Sequence, residues 1–282
     1  MSMLVTGSQG FIGKAFLEKV KTTYGNSLSL STYDVKDRGH HNYNDNYEVG
    51  VLLGAWKSVP LSIEKPEKYL NDNLGSVIDY ASNCNKIVFA SSSSVYGDSK
   101  FAEKKEGDEL HTRCLSPYAL SKKHNEEVLE MYSRLYGISY NALRFFNVYG
   151  PGQTSGVIID WINSAMSEDQ IIIFGNGENS RDYTFIDDVV NAINLCAVGD
   201  VENGSYNVGA QSCITLNELA VIIQSYFPAA KIKFEKPRLG DVMCSRANSE
   251  KLREATGWEA NTKLIEGIEK TIEWAKKAHL HP

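Results

Sequence analysis

The stretch that most restricts how this chain can fold lies at its start. Met3-Leu4-Val5 is a short apolar run and reads as a buried strand. Thr6-Gly7-Ser8-Gln9-Gly10-Phe11-Ile12-Gly13 follows at once, then a helical segment from Lys14 to Lys21. Strand, glycine turn and helix in that order make a dinucleotide pyrophosphate site. Gly7 permits the tight turn and Gly10 lets backbone approach the phosphates. Gly13 lets the helix sit close to the strand, so the helix N-terminus, with Phe11 and Ile12, faces the anion. The spacing is G-x-x-G-x-x-G.

A second strand, Leu28 to Tyr33, ends at Asp34, 21 residues beyond Gly13. A carboxylate there accepts hydrogen bonds from both adenosine ribose hydroxyls and repels a 2′-phosphate, so NAD is expected over NADP. Further strands are expected at Val49–Ala55, Lys86–Ala90 and Tyr140–Phe145, with helices over 66–84 and 118–136. Little chain separates the second and third strands, so the crossover helix between them is expected to be missing. The alternation predicts an α/β fold, a Rossmann-type doubly wound parallel sheet. After Asn147 the pattern changes to short strands at 171–174, 205–208 and 231–234 among helices at 157–166, 187–197, 216–227 and 264–277. This is expected to be a smaller α+β substrate lobe interleaved with the first. The predicted division is 1–147, with about 183–198 added, for the dinucleotide-binding domain and 148–282 for the remainder.

The chemistry is expected at the carboxyl end of the strand before residue 91, where ligands bind in open α/β sheets. Ser91-Ser92-Ser93-Ser94 lies there, and Tyr118 and Lys122 sit one helical turn apart on one face. A lysine ammonium beside a phenol favours the phenolate, so Tyr118 is expected to be lowered towards neutrality and to act as a general base.

The rest of the composition excludes more than it assigns. The 282 residues carry a net charge of −6 with no basic stripe, which argues against nucleic acid as a partner. An anionic substrate must then be met by a few placed arginines. Five scattered cysteines and six dispersed histidines show no metal-ligand spacing, so no metal is expected, and reduced thiols suggest a cytoplasmic protein. No apolar run approaches the roughly 18 residues of a membrane span, and no signal peptide precedes the first strand.

These residues resemble an extended short-chain dehydrogenase/reductase of the NAD-dependent nucleotide-sugar epimerase/dehydratase family. The resemblance rests on T-G-x-x-G-F-I-G at 6–13, S-S-S-S-V-Y-G at 91–97, Y-x-x-x-K at 118–122 and R-F-F-N-V-Y-G-P-G at 144–152. It continues through G-N-G-E-N-S-R-D-Y at 175–183, Asp187-Asp188-Val189, Tyr206-Asn207-Val208-Gly209, R-x-G-D at 238–241 and Gly257-Trp258. It implies Tyr118 as base, with Lys122 binding the nicotinamide ribose, and Ser92 as the catalytic Ser/Thr. Ser91 and Ser93 are its near alternatives. It further implies Lys57 near the cofactor, and Asn147, Arg181 and Arg238 on a substrate diphosphate. The family often dimerises through two helices per subunit, here those around 66–84 and 118–136, so a homodimer is expected.

Within the family, 4,6-dehydratases carry Asp-Glu directly after the catalytic Thr, where this chain has Ser93 and Ser94. Ala55-Trp56-Lys57-Ser58-Val59 resembles a segment of UDP-galactose 4-epimerases. The resemblance therefore implies a nucleotide-sugar 4-epimerase, an isomerase taking a UDP-sugar through a transient 4-keto intermediate. Its alternatives are an NAD(P)-dependent 4-keto-sugar reductase/epimerase, a UDP-glucuronate decarboxylase, and a non-catalytic nucleotide-sugar or NAD sensor.

Overall fold

Both faces of the expected strands are apolar, and both are covered. In the computed structural model, which describes residues 1–34, 46–237 and 243–280, the first half of the chain runs β1 (Ser2–Thr6), α1 (Phe11–Tyr24), β2 (Ser29–Tyr33), β3 (Tyr47–Leu52), α2 (Val59–Glu64), α3 (Pro66–Ala81), β4 (Cys84–Ser92), β5 (Glu103–Lys104), α4 (Pro117–Tyr136) and β6 (Ser139–Phe145). It continues β7 (Val148–Tyr149), α5 (Val157–Ser167), β8 (Gln170–Phe174), β9 (Ser180–Asp182), β10 (Thr184–Phe185), α6 (Ile186–Val198), β11 (Gly204–Val208), β12 (Cys213–Thr215), α7 (Leu216–Tyr226), β13 (Lys231–Glu235), β14 (Cys244–Ala247), α8 (Glu250–Thr256) and α9 (Leu264–Leu280).

A six-stranded sheet forms in the order β11-β6-β4-β3-β1-β2, with every pair parallel. Alternation along each strand sorts the side chains into two cores. Val5, Val51, Val88 and Leu143 face α1 and α6. Leu4, Leu52, Ile87, Phe89 and Ala142 face α3 and α4. A parallel sheet buried on both sides needs such continuous apolar strands, and these strands supply them. The strand order reverses beside β1, which opens the crevice in which doubly wound sheets bind dinucleotides. The segment between β2 and β3, expected to lack a crossover helix, lies outside the described residues over 35–45.

The sheet takes its sixth strand, β11, from beyond residue 147, and α6 packs beneath it, so later chain is woven into the first layer. The short strands of the second half, with β5 from the first, form a separate four-stranded sheet, β12-β9-β14-β5, and two parallel pairs, β13-β8 and β10-β7. Most of these two- and three-residue strands carry no sequence signal, because pairing across long separations creates them. Asp182 shows how. Its buried carboxylate accepts from the backbone N–H groups of Ala210 (2.9 Å), Gln211 (3.0 Å) and Ala247 (3.0 Å), pinning two distant segments against β9. No helix among the described residues is long and apolar enough to cross a membrane.

Candidate active site

The glycine turn is a close-packed cradle. Gly7 sits at φ 67°, and a Cβ there would lie 2.6 Å from Gly54 N. A Cβ on Gly13 would lie 2.1 Å from Gly7 O. The N-cap of α1 is Gly10, with no side chain bonded to the first-turn amides, so those amides are presented to an incoming anion. Asp34 faces this turn. The Ser8 hydroxyl donates to its Oδ2 (3.1 Å) and the Gln9 N–H to its Oδ1 (3.3 Å). Its carboxylate thus closes the turn at the end of β2, where an adenosine ribose sits when pyrophosphate rests on α1. The residues present fit NAD. Because Gly13 has no room for a methyl group against backbone, Gly13→Ala is expected to lower NAD affinity at least about tenfold, a change of about 1.4 kcal/mol. Titration calorimetry with NAD checks this.

The loop after β3 is fixed by Asn73, in the stretch 71–75 where the family resemblance implies an asparagine near NAD and the spacing is one residue short. Asn73 is fully buried in α3. Its Oδ1 accepts from Trp56 N–H (2.8 Å), and its Nδ2 donates to Trp56 O (3.1 Å) and to Ser121 Oγ (3.0 Å). One side chain thereby joins the cofactor-side loop to α4. Lys57, next in that loop, is exposed. Burial of part of its surroundings lowers its pKa, and Asp160 across the cleft raises it.

Tyr118 and Lys122 meet the end of β4. Ser116 caps α4 by accepting from Ala119 N–H (3.1 Å), Pro117 fills the first helical position, and Gly137 ends the helix at φ 71°. Lys122 is buried and donates to Ala90 O (2.6 Å). Its Nζ lies 4.7 Å from the centre of the Phe89 ring and 5.9 Å from that of Tyr118. Burial depresses Lys122 to about 7, opposed by Glu126 one turn further on. Burial raises the Tyr118 phenol, and a hydrogen bond from Ser92 opposes it. The expectation that Lys122 lowers Tyr118 is therefore not met by the protein's own groups. Both side chains lose water, and a lysine near neutrality brings less than a full charge.

Ser92 is prepared to donate. Its oxygen accepts from Ser94 N–H (3.2 Å) and from Ser94 Oγ (3.0 Å), which leaves its own hydrogen for a neighbour. Ser91 is turned away. It is buried and donates to Glu126. Glu126 also binds Arg144 through Nε (3.0 Å) and Nη2 (2.6 Å). Arg144 in turn reaches Glu109 (2.9 Å) and Tyr96 Oη (3.0 Å). This buried charged network stands directly behind the serine and the lysine. Tyr96 and Arg144 stood in the quoted motifs at 91–97 and 144–152, but nothing in the sequence joined them to Glu109 and Glu126.

The depressed Lys122 makes a test of burial in the folded state. The folded protein releases this proton near 7, whereas an exposed lysine keeps it to about 10.4. Burying the charged form costs stability below 7, and that cost fades as pH rises. Relative to Lys122→Met, the wild type is expected to gain stability from pH 7 to pH 9, at up to about 1.4 kcal/mol per pH unit. Urea unfolding of both proteins at several pH values measures it.

A cavity of about 360 Å³ lies on the other side of the cleft, lined by Asn147, Val157, Asp160, Phe174, Arg181 and Tyr183 among others. Asn147 and Arg181, predicted separately, share this one wall. Asn147 holds a left-handed backbone at φ 27°, and its Nδ2 donates to Asp182 O (2.7 Å). Strain of this kind is retained where a loop must aim its groups. Arg238 lies outside the described residues. Among the described residues, no cluster of His, Cys, Asp and Glu could hold a metal ion.

The likeness to known proteins spans the chain. Residues 3–209 match the model of the NAD dependent epimerase/dehydratase family. A putative UDP-glucose 4-epimerase of Methanocaldococcus jannaschii is 32% identical, over 97% of this chain and 98% of its own. The crystal structure of UDP-glucose 4-epimerase with UDP-glucose from Thermotoga maritima superposes with a TM-score of 0.87 at 29% identity, covering 99% of this chain and 100% of that one. MoeE5 in complex with UDP-glucuronic acid and NAD gives 0.88 at 27% identity, with coverages of 99% and 100%. The parallel sheet, the glycine cradle closed by Asp34 and the match over residues 3–209 agree, and the chain is a member of the NAD-dependent epimerase/dehydratase family.

Proposed function

We propose that this protein is a nucleotide-sugar 4-epimerase acting on a UDP-sugar, with Ser92, Tyr118 and Lys122 at the reacting carbon. The observation that carries this reading is the pairing of Ser92 with Tyr118 at the end of β4, with Ser93 and Ser94, not an acid pair, next along the chain. A dehydratase needs a proton donor there to expel water, and serine hydroxyls do not supply it at neutral pH.

NAD, when bound, supplies a reversible hydride acceptor beside the sugar. Gly7, Gly10, Phe11, Ile12 and Gly13 would hold its pyrophosphate, Asp34 its adenosine ribose, and Lys57 and Lys122 its other end. Tyr118 takes the proton of the sugar 4-hydroxyl and later returns it, while Ser92 donates to the same oxygen. Asn147, Arg181 and Arg238 hold the diphosphate as the 4-keto sugar turns its other face. Guanidinium groups suit this task because their planar donors match phosphate oxygens in pairs. Incubation with UDP-glucose, UDP-N-acetylglucosamine and UDP-glucuronate, without added reductant, is expected to yield a 4-epimer of at least one. Absence of any 4-epimer by anion-exchange chromatography would sink the reading, and carbon dioxide release would replace it with decarboxylation.

The same reading includes a homodimer through α3 and α4. Ile78 on α3 and Met131, Leu135 and Tyr136 on α4 are exposed apolar side chains, whereas Leu129 on α4 belongs to the core. Light scattering on the purified chain reports the mass.

A further inference from the structure

Two of the five cysteines are brought together by the second sheet. In β12, Cys213 stands opposite Asp182, and in β14, Cys244 stands opposite Ser180. Residues paired across strands project to the same face, and Ser180 and Asp182 share a face because they are two apart. Both thiols therefore lie on one side of β9, and Arg181 projects from the other. The sulfur atoms are 3.9 Å apart. Both cysteines are half-buried and so reachable from solvent, whereas Cys84 and Cys196 are buried. Neither sulfur belongs to the cofactor cradle or to the residues around Tyr118.

We propose that Cys213 and Cys244 form a modification site, in which a peroxide joins them in a disulfide that bridges over β9 and displaces Arg181. The Cys244 thiolate attacks one peroxide oxygen. An S–O bond forms, the O–O bond breaks, and hydroxide leaves to become water with the thiol proton. The Cys213 sulfur then attacks the sulfenic sulfur. An S–S bond forms, the S–O bond breaks, and the oxygen leaves as water with the Cys213 proton. The two thiols give up two electrons, and hydrogen peroxide is reduced to two waters. Burial and the neighbouring Cys244 raise the Cys213 thiol above its ordinary value. A disulfide needs its sulfurs about 2.05 Å apart. Closing the 3.9 Å gap ties β12 to β14 across β9, and β9 is the strand that carries Arg181.

The cross-link stands on the thiol geometry alone, while its effect on ligand binding rests on the proposed role of Arg181. The full-length protein is treated with hydrogen peroxide, alkylated, digested without reductant and analysed by mass spectrometry. The expected product is a Cys213–Cys244 cross-linked peptide, with Cys84, Cys114 and Cys196 still alkylated after denaturation. Calorimetry with UDP is expected to show roughly fivefold or greater weakening, the scale of a displaced positioning contact. Dithiothreitol restores binding, and Cys213→Ser shows no change on oxidation. Wild type whose thiols are first blocked with N-ethylmaleimide gives the same control if the variant does not fold. Absence of the cross-link, or cross-linking to another cysteine, overturns the proposal. An unchanged UDP affinity in fully cross-linked protein overturns the coupling to Arg181. If the reduced protein binds no UDP, the epimerase reading fails, and the cross-link still decides whether the thiol pair is a site.

Discussion

Tyr118→Phe is expected to lower kcat/KM for epimerisation about 10³-fold, within the range of a lost general acid–base group. NAD binding and the unfolding midpoint should stay near wild type. Phenylalanine fills the same volume between Ser92 and the first turn of α4, and the phenol oxygen makes no bond that the helix needs. The helix start is held instead by Ser116 on Ala119 N–H. What disappears is the hydroxyl that pairs with Ser92 and can take and return a proton. Because burial raises this phenol, the protein's own side chains do not prepare a phenolate, and activity in the wild type should rise with pH through the neutral range. The rising limb should vanish in Tyr118→Phe. A residual rate within tenfold of wild type would remove Tyr118 from the chemistry.

The largest loss of stability is expected from Arg144→Met. Arg144 is 2% exposed and binds Glu126, Glu109 and Tyr96. Removing the guanidinium leaves two carboxylates in or near the core without their cation. Breaking one side of a buried ion pair in this way costs about 3–5 kcal/mol. For a chain of this size that corresponds to a fall in Tm of roughly 10 °C. The double variant Arg144→Met/Glu126→Gln should recover part of the loss, since one uncompensated charge is gone and Ser91 keeps an acceptor. Calorimetric unfolding of the four proteins of the cycle measures this directly. A single-variant loss under about 1 kcal/mol would mean that the carboxylates are already solvated or protonated.

The two variants divide the candidate site into the groups at the end of β4 and the network that holds them in place, and sequence reveals these parts unequally. Gly7, Gly13, Asp34, Ser92, Tyr118 and Lys122 were legible because each sits at a fixed offset from a strand end or helix start. Such offsets are local, set by backbone geometry over a few residues. Asn73, Glu126 and Asp182 were not legible as supports. Each works through contacts made across long separations, such as Asn73 with Ser121 or Asp182 with Ala247. An asparagine or acid within a helix reads as a solvated polar residue until the fold buries it.

The sequence by itself determined the parallel sheet, the dinucleotide turn and the pair on one face of α4. Apolar runs of strand length, glycines and helical spacing act within short segments. Only the tertiary structure decided that β11 closes the main sheet, that Ser91 turns inwards while Ser92 faces Tyr118, and that Cys213 meets Cys244. It also reversed the expected direction for Tyr118. Spacing placed a lysine near the phenol, but a pKa depends on how much water the whole fold removes, and burial outweighed the neighbouring charge.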